Sequence, residues 1–176
     1  MSFEILASRL YTPFLGSALH VWTSILTMTL LALAFGYYAG GRVKHKQIQR
    51  YLIAGLFAAS VFVLISPYTA TFVLTQSIDL SIEMASIVAG ACIILPPIFL
   101  LGLVSPMVTK YISDDLGKNA GLVFGVGTLS GVISTLLFVH LIIPRIGVRN
   151  SITFIACIVF IAALLTLLLR RTYEHK

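Results

Sequence analysis

Eight charged or titratable side chains stand apart from the basic links of this chain: Glu4, Arg9, His20, Asp79, Glu83, His140, Arg145 and Arg149. The carboxylates Glu4, Asp79 and Glu83 are the chemistry that attracts amines, so the set could form a cation or polyamine vestibule at one membrane level. The competing reading is a ring of interfacial residues that pair or reach into water. Glu4 and Arg9 are separated by five residues, about 140° around a helix, so a direct bond between them is not expected. The four histidines build no metal site: His20 and His140 are single and embedded, and His45 and His175 lie in basic segments. No H-x-x-x-H or C-x-x-C spacing is present. Cys92 and Cys157 fall inside apolar runs, where small packing residues are expected rather than a disulfide or metal pair. Asp114 and Asp115, followed by Gly117 and Lys118, read as a solvated, helix-capping turn. No Gly-rich phosphate loop follows a strand, and no nucleophile has a base at a recognisable spacing. Catalysis has no residues to stand on, and no cofactor is expected.

The elements that must position these side chains are apolar runs. Residues 10–41, 51–78, 84–109, 119–144 and 150–169 contain no Asp, Glu, Lys or Arg. Each reaches the roughly 20 residues that a helix needs to cross a hydrocarbon core about 30 Å thick. In lipid every backbone N–H and C=O must be satisfied within the protein, and runs of this length manage that only as helices. The fold class is therefore all-α: a polytopic transmembrane bundle of five full spans, roughly 15–41, 51–68, 83–109, 120–143 and 151–169. A short N-terminal half-helix or interfacial segment precedes them. Composition agrees, with 59% hydrophobic and 10% charged residues against roughly 25% charged in soluble domains. With 176 residues forming one integral membrane domain, no room remains for a separate catalytic unit.

The net charge of +6 sits in short links, where it sets orientation rather than recruiting nucleic acid. The link 42–50 carries Arg42, Lys44, Lys46 and Arg50 without an acid and is read as cytoplasmic. The link 69–81 has no Lys or Arg and carries Asp79, so it belongs outside. Lys110, Lys118 and the tail with Arg170, Arg171 and Lys176 return to the inside. The loop with Arg145 and Arg149 runs against this rule and is outvoted. A bacterial-type inner membrane with a cytoplasmic C-terminus follows. Tyr11, Trp22, Tyr51, Tyr68 and Tyr111 lie near span ends, as an aromatic belt would place them. Residues 1–16 carry apolar positions interrupted by Glu4 and Arg9 and broken by Pro13 and Gly16; interfacial, re-entrant and truncated-helix readings stay open. A secretory signal is not indicated, because no basic region precedes the apolar stretch.

Small residues recur at helix-packing spacing: Gly36 with Gly40, Gly121 with Gly125, and Gly127 with Gly131. They suit packing within a bundle or a homodimer face. Pro96, Pro97 and Pro106 around Gly102 must kink or break the third span, because each proline removes a backbone hydrogen bond. Broken helices line substrate sites in transporters, so a cavity beside Pro96, Pro97 and Gly102 is a candidate site.

Three segments taken in order carry a resemblance. EILASRLYTPFLGSALHVW at 4–22, with the glycines up to Arg42, PPIFLLGLVSP at 96–106 and VFGVGTLSGVISTLLFVHLIIPRIG at 123–147 resemble the membrane half of fused spermidine-synthase-like proteins. There the helices precede an aminopropyltransferase-like domain. The Gly-x-x-x-Gly-Gly-Arg turn also resembles a short loop of major-facilitator transporters, without its usual acidic residue. The resemblance covers most of the chain and implies its membrane architecture alone. The soluble nucleotide-dependent domain is absent after Lys176, so the enzyme activity does not transfer. In the family, the Glu-x-x-x-x-Arg segment finishes a complete first helix, most of which is missing here. The family also tends to have Asn at the place of Gly127 and Gly at the places of Ser130 and Ser134.

The expectation is a non-catalytic accessory or scaffold subunit in contact with membrane lipids. It would bind another membrane chain or a second copy, with the partner replacing the missing helix beside residues 4–10. The alternative is a small-molecule or cation carrier with its cavity at the third span.

Overall fold

A computed structural model describes residues 1–111 and 116–174, with side chains at 1–111 and 119–169. Asp114, Asp115 and His175 lie outside the described residues. Among the described residues every regular element is a helix. They are α1 (Ser2–Leu15), α2 (Leu19–Arg42), α3 (Ile48–Gln76), α4 (Ile82–Ala89), α5 (Leu95–Gly102), α6 (Val104–Tyr111), α7 (Leu116–Leu137) and α8 (Ile143–Glu174). Four stretches are long and apolar enough to cross a membrane: Leu19–Arg42, His45–Gln76, Ile82–Tyr111 and Asn119–Leu169. The protein is a multi-pass membrane protein by this measure.

The last of these stretches has 51 residues. At about 1.5 Å per residue, it would overshoot a roughly 30 Å core more than twofold if straight. It is not straight: Gly147 has φ 77° and ψ 170°, a conformation open to glycine and costly for a side chain. After this break the chain runs antiparallel to α3, since Phe160 meets Phe57 edge-on at 5.2 Å and the Arg149 guanidinium lies 4.5 Å from the Tyr68 ring centre.

Prolines shape the helices by the carbonyls they leave free. Two widened π turns, Gly90–Ile94 and Phe138–Ile142, stand just ahead of Pro96–Pro97 and Pro144. In them the Leu95 and Ile143 N–H groups reach back to the Gly90 and Phe138 carbonyls. The expected kink of the third span therefore takes the form of a π turn followed by α5, and α6 follows beyond Leu103. Pro67 acts differently. The second span was expected to end near residue 68, yet α3 runs through Pro67 and continues to Gln76. The Val63 carbonyl that Pro67 cannot reach accepts the Ser66 hydroxyl at 2.7 Å, so the ladder survives.

The N-terminal segment packs into the helical bundle. Leu6, Ala7 and Tyr11 have no exposed surface, and α1 packs among α2, α3 and α8. Its apolar side is thus covered by this chain itself, where a partner helix had been expected. Tyr11 consequently leaves the aromatic belt, whereas Trp22, Tyr51, Tyr68 and Tyr111 remain exposed. Cys92 and Cys157 are free thiols on helices, but they face outward instead of packing inside.

Candidate functional site

Close contact between α2 and the third transmembrane stretch defines one wall of the site. A Cβ added at Gly36 would lie 2.6 Å from the Phe99 carbonyl oxygen and 3.0 Å from the Gly102 Cα. At Gly40 it would lie 2.7 Å from the Leu103 carbonyl oxygen and 2.7 Å from the Pro106 ring. The two backbones touch here because neither carries a side chain at the crossing. Leu33 and Tyr37 of α2 flank this seam, together with Ile98 of α5, and face a cavity of about 570 Å³. That volume lies within the roughly 300–1,000 Å³ typical of ligand sites.

The opposite wall is α7, which stands away from the seam. It touches α2 where Phe124 meets Tyr37 edge-on at 6.1 Å, and it touches α1 where the Ser2 hydroxyl donates to Ser134 Oγ at 2.9 Å. Between these two points Gly127, Thr128 and Gly131 line the cavity. The packing expected along this helix does not occur among the described residues. A Cβ added at Gly121, Gly125 or Gly127 would meet nothing within 4 Å, and at Gly131 only the Met1 side chain, at 3.4 Å. The aromatic pair at one end and the tip of α1 at the other hold α7 too far off for its glycines to reach a backbone.

Glu4 is the acidic group of this cavity. It is 8% exposed, and its carboxylate lies 3.6 Å from the Met1 ammonium, not beside Arg9, which is exposed. The same cavity is lined by Leu33, near the middle of the stretch Leu19–Arg42. Glu4 is therefore separated from the outer-level set in which it was expected, because α1 dips into the bundle from its Gly16 end. A carboxylate at this depth needs a cation or hydrogen-bond donors nearby.

The remaining members of that set stay at the end of the bundle remote from Arg42 and Lys44. His20 Nδ1 and Glu83 Oε1 approach to 3.5 Å across the starts of α2 and α4, both largely exposed. Such a pair in water contributes little. Asp79, His140, Arg145 and Arg149 are exposed, with Arg149 lying over Tyr68 as described. The structure thus places Glu4 and Gly102 in the lining of one cavity, and separately pairs His20 with Glu83. Pro96 and Pro97 bend the helix above the cavity without lining it. Among the described residues no three His, Cys, Asp or Glu side chains converge on a metal-sized site. Tyr37, Phe124 and Ser134 were not foreseen as site residues. Tyr37 could have been found from its place beside Gly36, since a glycine seam turns its immediate neighbours toward whatever the seam leaves open.

No protein-family model, curated protein or solved structure matches the chain.

Proposed function

We propose that this chain is a non-catalytic module of a bacterial-type inner membrane that seats a transmembrane helix of a partner chain against α7. One observation supports this reading most: the α7 glycines are open, while the equivalent pair on α2 is closed backbone to backbone. Apolar surface alone does not drive helices together in lipid, so association relies on small residues that admit close backbone contact. The occupant of the gap is a helix from another protein or from a second copy of this chain. Purification in mild detergent followed by identification of co-purifying chains tests it. A partner or dimer lost on Gly127→Leu supports the reading, and an unaltered monomer in both forms opposes it.

In this proposal the break at Gly147 separates two crossings, giving five in all, with α1 re-entrant and the basic end in the cytoplasm. Cysteines placed at Gln47 and Ile78, both exposed, report on this directly. With an impermeant thiol reagent on intact cells, position 78 is expected to label and position 47 to be protected. Labelling of position 47 from outside would overturn the orientation.

A carrier function is the second reading, favoured by Glu4 in the wall of the cavity. Purified protein in liposomes would then move an organic cation, and Glu4→Gln would abolish that flux. Equal flux with and without the carboxylate would remove this reading.

A further inference from the structure

A second cavity, of about 400 Å³, lies at the other functional extreme of the molecule, between the start of α3, the end of α6 and the last turns of α8. Its walls are hydrocarbon: Ile48, Leu52, Val108 and Leu169. Thr166 adds only its methyl group, because its hydroxyl is turned back onto the Ala162 carbonyl at 2.8 Å. The rim is polar. Gln49 Nε2 donates to the Tyr111 hydroxyl at 2.9 Å, and the His45 ring stacks on Tyr111 with centroids 6.1 Å apart. Leu169 and Tyr111 are exposed, so the slot opens at the surface of the bundle.

The link 42–50 beside this slot carries Arg42, Lys44, Lys46 and Arg50 and no acid. Arg9, Arg145 and Arg149 elsewhere in the chain are matched in number by Glu4, Asp79 and Glu83. Lys110 and Lys118 are likewise matched by Asp114 and Asp115, so the net charge of +6 comes from the link 42–50 and the tail after 169. Lys110 is tied down, donating from Nζ to the Val43 carbonyl at 2.8 Å, while Lys44, Lys46 and Arg50 are exposed beside the rim.

We propose that this slot binds an anionic phospholipid of the leaflet at the basic end. One acyl chain lies along Ile48, Val108 and Leu169, and the phosphate sits at the His45, Tyr111 and Gln49 rim in the field of Lys44, Lys46 and Arg50. Basic pockets between transmembrane helices favour anionic headgroups, because the cations gain Coulomb energy at a surface where water is sparse. A zwitterionic lipid would place its ammonium among like charges. Inorganic phosphate would lack the chain that fills the slot.

The test uses the whole protein in detergent, titrated with phosphatidylglycerol, phosphatidylcholine or inorganic phosphate while the thermal midpoint is followed. Phosphatidylglycerol is expected to raise the midpoint, with the other two giving little. Val108→Phe or Thr166→Phe, which fill the slot from opposite walls, should weaken the phosphatidylglycerol effect about tenfold. Replacing Lys44, Lys46 and Arg50 with Gln should erase the preference over phosphatidylcholine. A photoactivatable phosphatidylglycerol on the unaltered protein should label the start of α3 and the end of α6. Equal stabilisation by both lipids, the same rise with phosphate alone, or adducts confined to other surfaces would overturn the proposal.

Discussion

Gly36→Ala, a single added methyl group, is expected to lower the stability of this protein by about 1–3 kcal/mol, the range for overpacking a filled interior. For a chain of this size that is a fall of several degrees in thermal midpoint. The obstacle is backbone: the new Cβ would sit 2.6 Å from the Phe99 carbonyl oxygen, and a carbonyl in a helix cannot rotate away. Either α2 and α5 separate, losing contacts along the whole seam, or the backbone stores the strain. Gly40→Leu should be worse, since the Leu103 carbonyl and the Pro106 ring both stand 2.7 Å away. The matched control is Gly125→Leu, which meets open space and should leave the detergent-purified monomer as stable as before. Thermal unfolding of the three variants in one detergent checks the ranking. A monomer equally tolerant of Gly36→Ala and Gly125→Leu would deny the seam its role.

The second large effect reverses that order. Gly127→Leu should leave the fold intact yet weaken partner association by tenfold or more, which corresponds to about 1.4 kcal/mol. Its Cβ has nothing within 4 Å among the described residues, so the penalty expected is that of something packing against α7 from outside. Gly131→Leu is a less clean probe, because it also presses on the Met1 side chain at 3.4 Å. A helix docked on glycines loses close van der Waals contact over its whole crossing when one branched side chain intervenes. Size-exclusion or sedimentation measurements on the complex, beside unfolding of the monomer, separate the two effects.

The transmembrane helices were legible because their signal is coarse: the absence of charge over the length of a bilayer survives any detail of packing. Gly36 and Gly40 were legible for a related reason, since spacing places both on one face. The same spacing, read as bundle packing or a homodimer face, meets no neighbour among the described residues at Gly121, Gly125 and Gly127, because a small residue permits close approach without requiring it. Whether a neighbour arrives is decided elsewhere, here by Tyr37 and Phe124 meeting edge-on. A short N-terminal helix was among the expectations, but the burial of α1 was hidden, because Glu4, Arg9 and Pro13 spoil any local pattern and that burial depends on helices far along the chain. The second span was read as ending near residue 68, although the helix runs on through Pro67 to Gln76. The hydroxyl of Ser66 changes the outcome by a single hydrogen bond that composition cannot show. Glu4 drew notice from its sequence, but its depth in the bundle came only with the placement of α1.

The proposed role turns on what occupies the gap beside α7, and a photocrosslinking amino acid at Val123, in the wall of that cavity, addresses it in the native membrane. The expected product is a covalent adduct with a second polypeptide, lost when Gly127→Leu is added. Adducts with lipid or with the chain's own α2 alone, from a purified monomer that carries an organic cation into liposomes, would contradict the partner reading and leave the carrier in its place.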